Sequence, residues 1–389
     1  MHREAHDEPV RLGTTAAGRT AKEDVRGAAI FGAQALGVVS LLAVAILLIE
    51  RLILAYPARL GPSVSGFPWE RIVELERTSG ELVFFGDSVV QTAALGDADA
   101  RLLPDMLAAE IDAPVLRVSQ AATSCDMHAA WLRYAARLTP PPRAVIVPVN
   151  LRAFSPHWER NPAWVFADTA AMIDHPLYAR MLSVLEWDWG RPTDEGFAAS
   201  PVVVAGVEVG TVAALDAITA GYLPSDEVRR SRYLVRYASD IERSRRLSAF
   251  EDLVAAANAA RFPVILYLTP IDVDRVREHV DAASYANVEA NLERLRAILR
   301  TSRWPTADLS EAVAPADFDH PLGDPHEHLK WRGRILVAEA LAEALGEAGV
   351  LGPERAAAEL LEADAPPDAG SADDAGNPAD ASPLEAGTH

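Results

Sequence analysis

Short apolar runs punctuate the chain at residues 82–85, 115–118, 144–149 and 264–268, with a weaker one at 304–307. Runs of this length between polar stretches predict strands buried on both faces. Residues 126–138, 240–260, 285–299 and 331–345 instead place Ala and Leu three and four apart, which predicts helices. Strands alternating with helices require right-handed crossovers and therefore a parallel sheet covered on both sides. The expected fold is a doubly wound, three-layer α/β/α domain of flavodoxin-like kind. Residues 202–212 are apolar but interrupted by Glu208 and too short to cross a bilayer, so they predict a strand or a buried hairpin.

The two ends have other patterns. Residues 27–49 hold no charge and only Gln34 and Ser40 as polar interruptions. At about 1.5 Å per residue this stretch spans a hydrocarbon core of about 30 Å, which predicts a transmembrane helix. A signal peptide would have a shorter apolar region and a small-residue cleavage site, and none is evident before Glu50 and Arg51, so an uncleaved anchor is expected. Arg3, Arg11, Arg19, Lys22 and Arg26 precede the helix, against Arg51 and Arg59 just after it. The positive-inside rule then puts residues 1–26 in the cytoplasm and the globular part, residues 50–350, outside it, periplasmic or extracellular. Beyond Gly352 the chain turns to Ala, Pro, Asp, Glu and Gly, so residues 353–389 predict a disordered acidic tail.

Composition narrows the function. With 36 basic and 56 acidic residues the net charge is −20, and nine acidic residues against Arg355 put −8 of it in the tail. Such a chain repels a phosphate backbone, so nucleic acid is not an expected partner. The single cysteine, Cys125, excludes a disulfide framework and a cysteine-built zinc site. It opens a predicted helix, where an N-terminus could lower its pKa, but an inert buried thiol is the commoner outcome.

In a doubly wound sheet, chemistry gathers at the carboxyl ends of the strands. After the first run stands Gly86-Asp87-Ser88. A serine at a strand-to-helix corner is exposed to helix-terminal N–H groups and can serve as a nucleophile, although Asp87 or Ser88 could equally cap the next helix. The second run leads into Ser119-Gln120-Ala121-Ala122-Thr123-Ser124, and the third ends in Val149-Asn150-Leu151-Arg152. There the Asn150 amide can donate to a developing oxyanion. Before the last helix comes Gly323-Asp324-Pro325-His326-Glu327-His328-Leu329. A carboxylate upstream of a histidine can orient the imidazole while its other nitrogen faces a serine.

This order of features resembles the SGNH, or GDSL, hydrolase superfamily over residues 81–345. The resemblance implies Ser88 as nucleophile, His328 as base and Asp324 as its orienting acid. It also implies an oxyanion hole from the backbone N–H groups of Ser88 and Ala122 and from the Asn150 amide. Where the family has Gly in its second block this chain has Ala121 and Ala122, and where the family has Asp three residues before His this chain has Pro325, which leaves His326 as an alternative base. Tyr267-Leu268-Thr269-Pro270 and Asp308-Leu309-Ser310 are similar to envelope-associated members. The resemblance implies an ester hydrolase or O-acyltransferase, with no cofactor and no metal. Its substrate would be acyl, chiefly acetyl, esters of cell-envelope polysaccharide, and its partners an acylated carbohydrate or acyl donor and a membrane acyl-export protein. The rival is a non-catalytic scaffold of the same fold that binds envelope glycan or a membrane partner.

Several neighbouring residues have plainer uses. His320, His326, His328, Asp324 and Glu327 could form a metal site, but Glu327 reads most simply as a solvated loop charge. Arg152 could meet a carboxylate or a sugar hydroxyl, with a structural ion pair at least as common. Residues 154–234 have no family counterpart and form an expected insertion after the third strand. They contain Trp158, Trp164, Trp187 and Trp189, which could stack on sugar rings but more commonly pack a core.

Overall fold

A computed structural model of the chain describes residues 32–49, 69–77, 80–94, 96–121, 123–156, 158, 170, 173–174, 199, 201–211, 213–214, 225–319 and 327–351. Helix α1, Gly32–Ile49, is unburied and is long and apolar enough to cross a membrane. The expected anchor also took in residues 27–31, which, with the basic flank and the acidic tail, lie outside the described residues.

From residue 69 the chain alternates helix and strand. The elements are α2 (Trp69–Arg77), β1 (Leu82–Gly86), α3 (Ser88–Gln91), α4 (Leu103–Ile111), β2 (Val115–Ser119), α5 (Cys125–Ala135) and β3 (Ala144–Val149). They continue as β4 (Pro201–Val204), β5 (Val207–Thr211), α6 (Asp226–Tyr237), α7 (Arg245–Ala259), β6 (Val264–Leu268), α8 (Val273–His279), α9 (Ala282–Leu299), β7 (Thr306–Asp308) and α10 (Trp331–Glu347). Five strands form one sheet in the order β2-β1-β3-β6-β7, and every neighbouring pair is parallel. The doubly wound α/β fold expected from the alternating pattern is therefore present.

Alternation along β1 shows how the three layers are held. Leu82 and Phe84 join the core beneath α4 and α10, whereas Val83 and Phe85 join the core beneath α5, α7 and α9. A strand that faces two apolar layers has no polar positions to spare, which is why β1, β3 and β6 are buried along their whole length. Gly86 ends β1 for a steric reason: a Cβ there would lie 2.5 Å from Val90 Cβ, so only glycine lets α3 fold back onto the strand end.

The apolar stretch at 202–212 forms an antiparallel hairpin of β4 and β5. Only its first strand is buried; Val207 and Val209 are 64% and 41% exposed. Ala205 and Gly206 both have positive φ at its turn, and the Asp240 carboxylate accepts both of their N–H groups, at 2.8 and 3.0 Å. Asn291 then holds the chain after α6 by donating to the carbonyls of Tyr237 and Ser239. The C-terminal end of α6 is thereby fixed against α9.

Candidate active site

Ser88 is the first residue of α3 and stands at the carboxyl end of β1. Asp87 caps that short helix: its Oδ1 accepts the Val89 N–H at 2.9 Å, and its side chain is buried. Burial raises the Asp87 carboxyl above its ordinary pKa, against the lowering influence of Arg152, of the Val89 N–H and of the Asn150 amide. Both the capping role and the corner position read from Gly86-Asp87-Ser88 are therefore realised together.

His328 arrives from the other end of the domain. Its strap is held by Phe318, which bridges Leu329, and by the Asp319 N–H, which donates to the His328 carbonyl at 2.8 Å. Arg334 at the start of α10 donates to the Leu329 carbonyl and pairs with Asp97 at 3.1 Å, joining the strap to the loop after α3. The outcome is a distance of 3.2 Å between His328 Nε2 and Ser88 Oγ. A neutral imidazole nitrogen at that distance can accept the hydroxyl proton. Burial, and secondarily Arg152, lower the His328 pKa, while Glu327 and Asp319 oppose them. The ring is thus neutral near pH 7.

Asn150 follows β3 and caps a 3-10 turn, Leu151–Phe154. Its Oδ1 accepts the Arg152 N–H at 2.9 Å, which fixes the amide and leaves its NH₂ as the donating group, directed at the Asp87 carboxyl. The structure thus brings Ser88, His328 and Asn150 to one end of the sheet. Asp324, His326 and Ala122 lie outside the described residues, as do His320, Trp164, Trp187 and Trp189. Of the residues named for a metal site only Glu327 and His328 are described.

Glu327 corrects the sequence reading. Expected as a solvated loop charge, it is 0% exposed, because two partners far away in sequence enclose it. Arg152 Nη1 lies 2.9 Å from its Oε2, and the Tyr237 hydroxyl donates to its Oε1 at 2.6 Å. Arg152 is therefore in a structural ion pair, and its guanidinium also stacks 4.6 Å from the Trp158 ring. Tyr237 was not singled out from sequence; it falls just past the expected insertion, and nothing local marks it.

Three further residues, Thr123, Cys125 and His128, are buried beyond β2, and Thr123 reaches the end of β1. The Thr123 hydroxyl is 2.8 Å from the Gly86 carbonyl, to which it donates, and 3.4 Å from His128 Nε2. His128 is 2% exposed, and burial pushes its pKa down to about 4. Cys125 is buried with its thiol pushed up to about 12 by burial and then by Asp126, so it is the inert thiol of the two alternatives. Asp87, Thr123, Asn150, Arg152, Ala153, Trp158 and Arg246 line a small cavity at this point.

No family model matches the chain, and no curated protein matches it. Among solved structures it is similar to an acetylxylan esterase from Geobacillus stearothermophilus, at 12% identity, 69% of this chain, 94% of that chain and a TM-score of 0.33. It is also similar to an alpha/beta hydrolase enzyme from the metagenome of Lake Arreo, at 14% identity, 70% of this chain, 96% of that chain and a TM-score of 0.33. Both neighbours are hydrolases, but a likeness of this size assigns this chain neither a family nor an activity.

Proposed function

We propose that the protein is a membrane-anchored serine esterase or O-acyltransferase. Its reaction would be on acyl esters of cell-envelope polysaccharide, with the globular part outside the cytoplasm. The observation that carries this reading is the 3.2 Å approach of His328 Nε2 to Ser88 Oγ at the carboxyl end of a parallel sheet. Ser88 Oγ attacks the acyl carbonyl as His328 takes its proton. The Ser88 N–H and the Asn150 amide donate to the resulting oxyanion. Collapse breaks the ester bond, His328 returns the proton to the departing alkoxide, and an acyl-serine remains. Water or an acceptor hydroxyl then attacks that acyl group by the same proton route, which yields either the free acid or a new ester.

A fluorophosphonate probe tests this on the full-length protein in detergent. Wild type is expected to label at Ser88, Ser88→Ala not at all, and His328→Ala about 10²–10⁴-fold more slowly. His326→Ala is expected to retain most labelling; the reverse pattern would move the base to His326. A wild type that never labels would favour the scaffold reading, because a serine without an activating base reacts no faster than any exposed hydroxyl.

A further inference from the structure

The Arg152–Glu327 pair is costly for a device that only stabilises. Its two charges are 5% and 0% exposed, and a buried pair is often matched or bettered in stability by apolar residues of similar size. Its location suggests another use. Glu327 is the residue before His328, and Arg152 is the residue whose N–H fixes the Asn150 amide. We propose that Arg152 and Glu327 are positioning residues: their ion pair locks the histidine strap onto the turn that carries Asn150 and controls when His328 accepts a proton. The role of His328 as base rests on the enzymatic reading above.

Each end of the pair is restrained from outside it. Both Glu327 oxygens are engaged, one by Arg152 and one by the Tyr237 hydroxyl, so the carboxylate has a single orientation. Burial and the adjacent Glu327 hold the Tyr237 hydroxyl well above its ordinary pKa, so it remains a donor throughout the working range. On the other side, the Trp158 ring covers the Arg152 guanidinium and is favourable to its charge. The strap, the turn after β3 and the end of α6 therefore meet at one carboxylate.

The electrostatic consequence has a sign. Among the described residues, the groups acting on the His328 ring are Arg152 from the turn after β3, its chain neighbour Glu327, Asp319, and Ser88 from α3, whose neighbour Asp87 interacts in turn with Arg152. With both members of the pair present their charges act on the imidazole in opposite directions, and burial, with Arg152 next, lowers its pKa. Loss of Arg152 leaves an uncompensated carboxylate, which favours the imidazolium. Loss of the Glu327 charge leaves an uncompensated guanidinium, which disfavours it.

The test uses full-length protein in detergent, with circular dichroism as the check on folding. The pH dependence of fluorophosphonate labelling is compared in wild type, Arg152→Met, Glu327→Gln and the double variant Arg152→Met/Glu327→Met. The His328 ring is titrated in parallel by NMR in a Ser88→Ala background, which needs no activity. Arg152→Met is expected to move the acid limb to higher pH and Glu327→Gln to lower pH. The double variant should return toward the wild-type limb with a maximal rate about tenfold or more below wild type, because the charges are balanced but the lock is gone. Shifts in one direction for both single variants, or no shift in either, would overturn the proposal, since general loosening cannot produce opposite signs. If the single variants do not fold, Tyr237→Phe and the double variant carry the test: slower labelling is expected, and wild-type rates in both would overturn it. If wild type never labels, the enzymatic reading fails, and the opposite NMR shifts of His328 still support or overturn the control by the pair.

Discussion

A methyl group at Gly86 would meet three atoms of the Val90 side chain, at 2.5, 2.5 and 2.9 Å. Val90 is buried and branched at Cβ, so it cannot rotate away, and Gly86→Ala must push α3 off the end of β1. The expected cost is about 1–3 kcal/mol, seen as a fall of several degrees in Tm, with labelling of Ser88 reduced by at least tenfold. An unchanged labelling rate would mean that the serine does not depend on this close approach. His128 offers a second test at the same scale. Its folded pKa of about 4 lies below the ordinary value near 6.5. The neutral ring's contribution is therefore present above about pH 6.5 and lost as pH falls toward 4, a change on the order of 3 kcal/mol. In His128→Leu, urea unfolding at pH 7 and pH 4.5 is expected to show a smaller loss of stability than wild type, and equal losses would refute it. The variant leaves the Thr123 hydroxyl its bond to the Gly86 carbonyl. Glu327 shows why residue-level reading failed where it did. Its partners lie 175 and 90 positions away, and no local pattern distinguishes a carboxylate that will be enclosed from one that will be solvated.

The elements were legible in proportion to how much of their pattern is local. β1, β3 and β6 are unbroken apolar runs because both faces are covered, and they lie where those runs lie. Helices α5, α7, α9 and α10 start and stop within a few residues of the expected bounds, with residues 241–243 forming a 3-10 turn ahead of α7. α4 was missed because a nine-residue helix offers little periodicity to read. The stretch at 202–212 was expected as a strand or a buried hairpin; it is a hairpin, but Val207 and Val209 of β5 are exposed. The hairpin instead depends on Asp240, whose carboxylate meets the two N–H groups of a turn in which Ala205 has a φ of +50°. Asp240→Ala is expected to lower stability by about 1–2 kcal/mol, and Ala205→Gly to recover part of it by relieving the left-handed backbone. Thermal unfolding of the two single variants and the double variant measures both; an unaffected Asp240→Ala protein would mean that the turn holds itself.

At the scale of the whole molecule, two predictions concern what lies outside the sheet. The Val350 carbonyl accepts from Arg143, and Leu351 is 9% exposed, so the last elements of the domain run to about this point. Truncation after Gly352 is expected to leave Tm unchanged within error, whereas truncation after Ala348 removes both contacts and should lower it. A drop for the longer protein would show that the acidic tail docks. Because the basic flank precedes the apolar stretch, a reporter fused after Pro353 should be active outside the cytoplasm, and activity inside would reverse the orientation. Ser88 and His328 are 240 positions apart, since one follows the first strand of the sheet and the other precedes the last helix. During synthesis Ser88 therefore emerges long before His328. A chain halted anywhere before residue 328 carries the serine without the imidazole that meets it in the folded protein, so the pair on which the proposed reaction depends forms only after every strand of the sheet has been made.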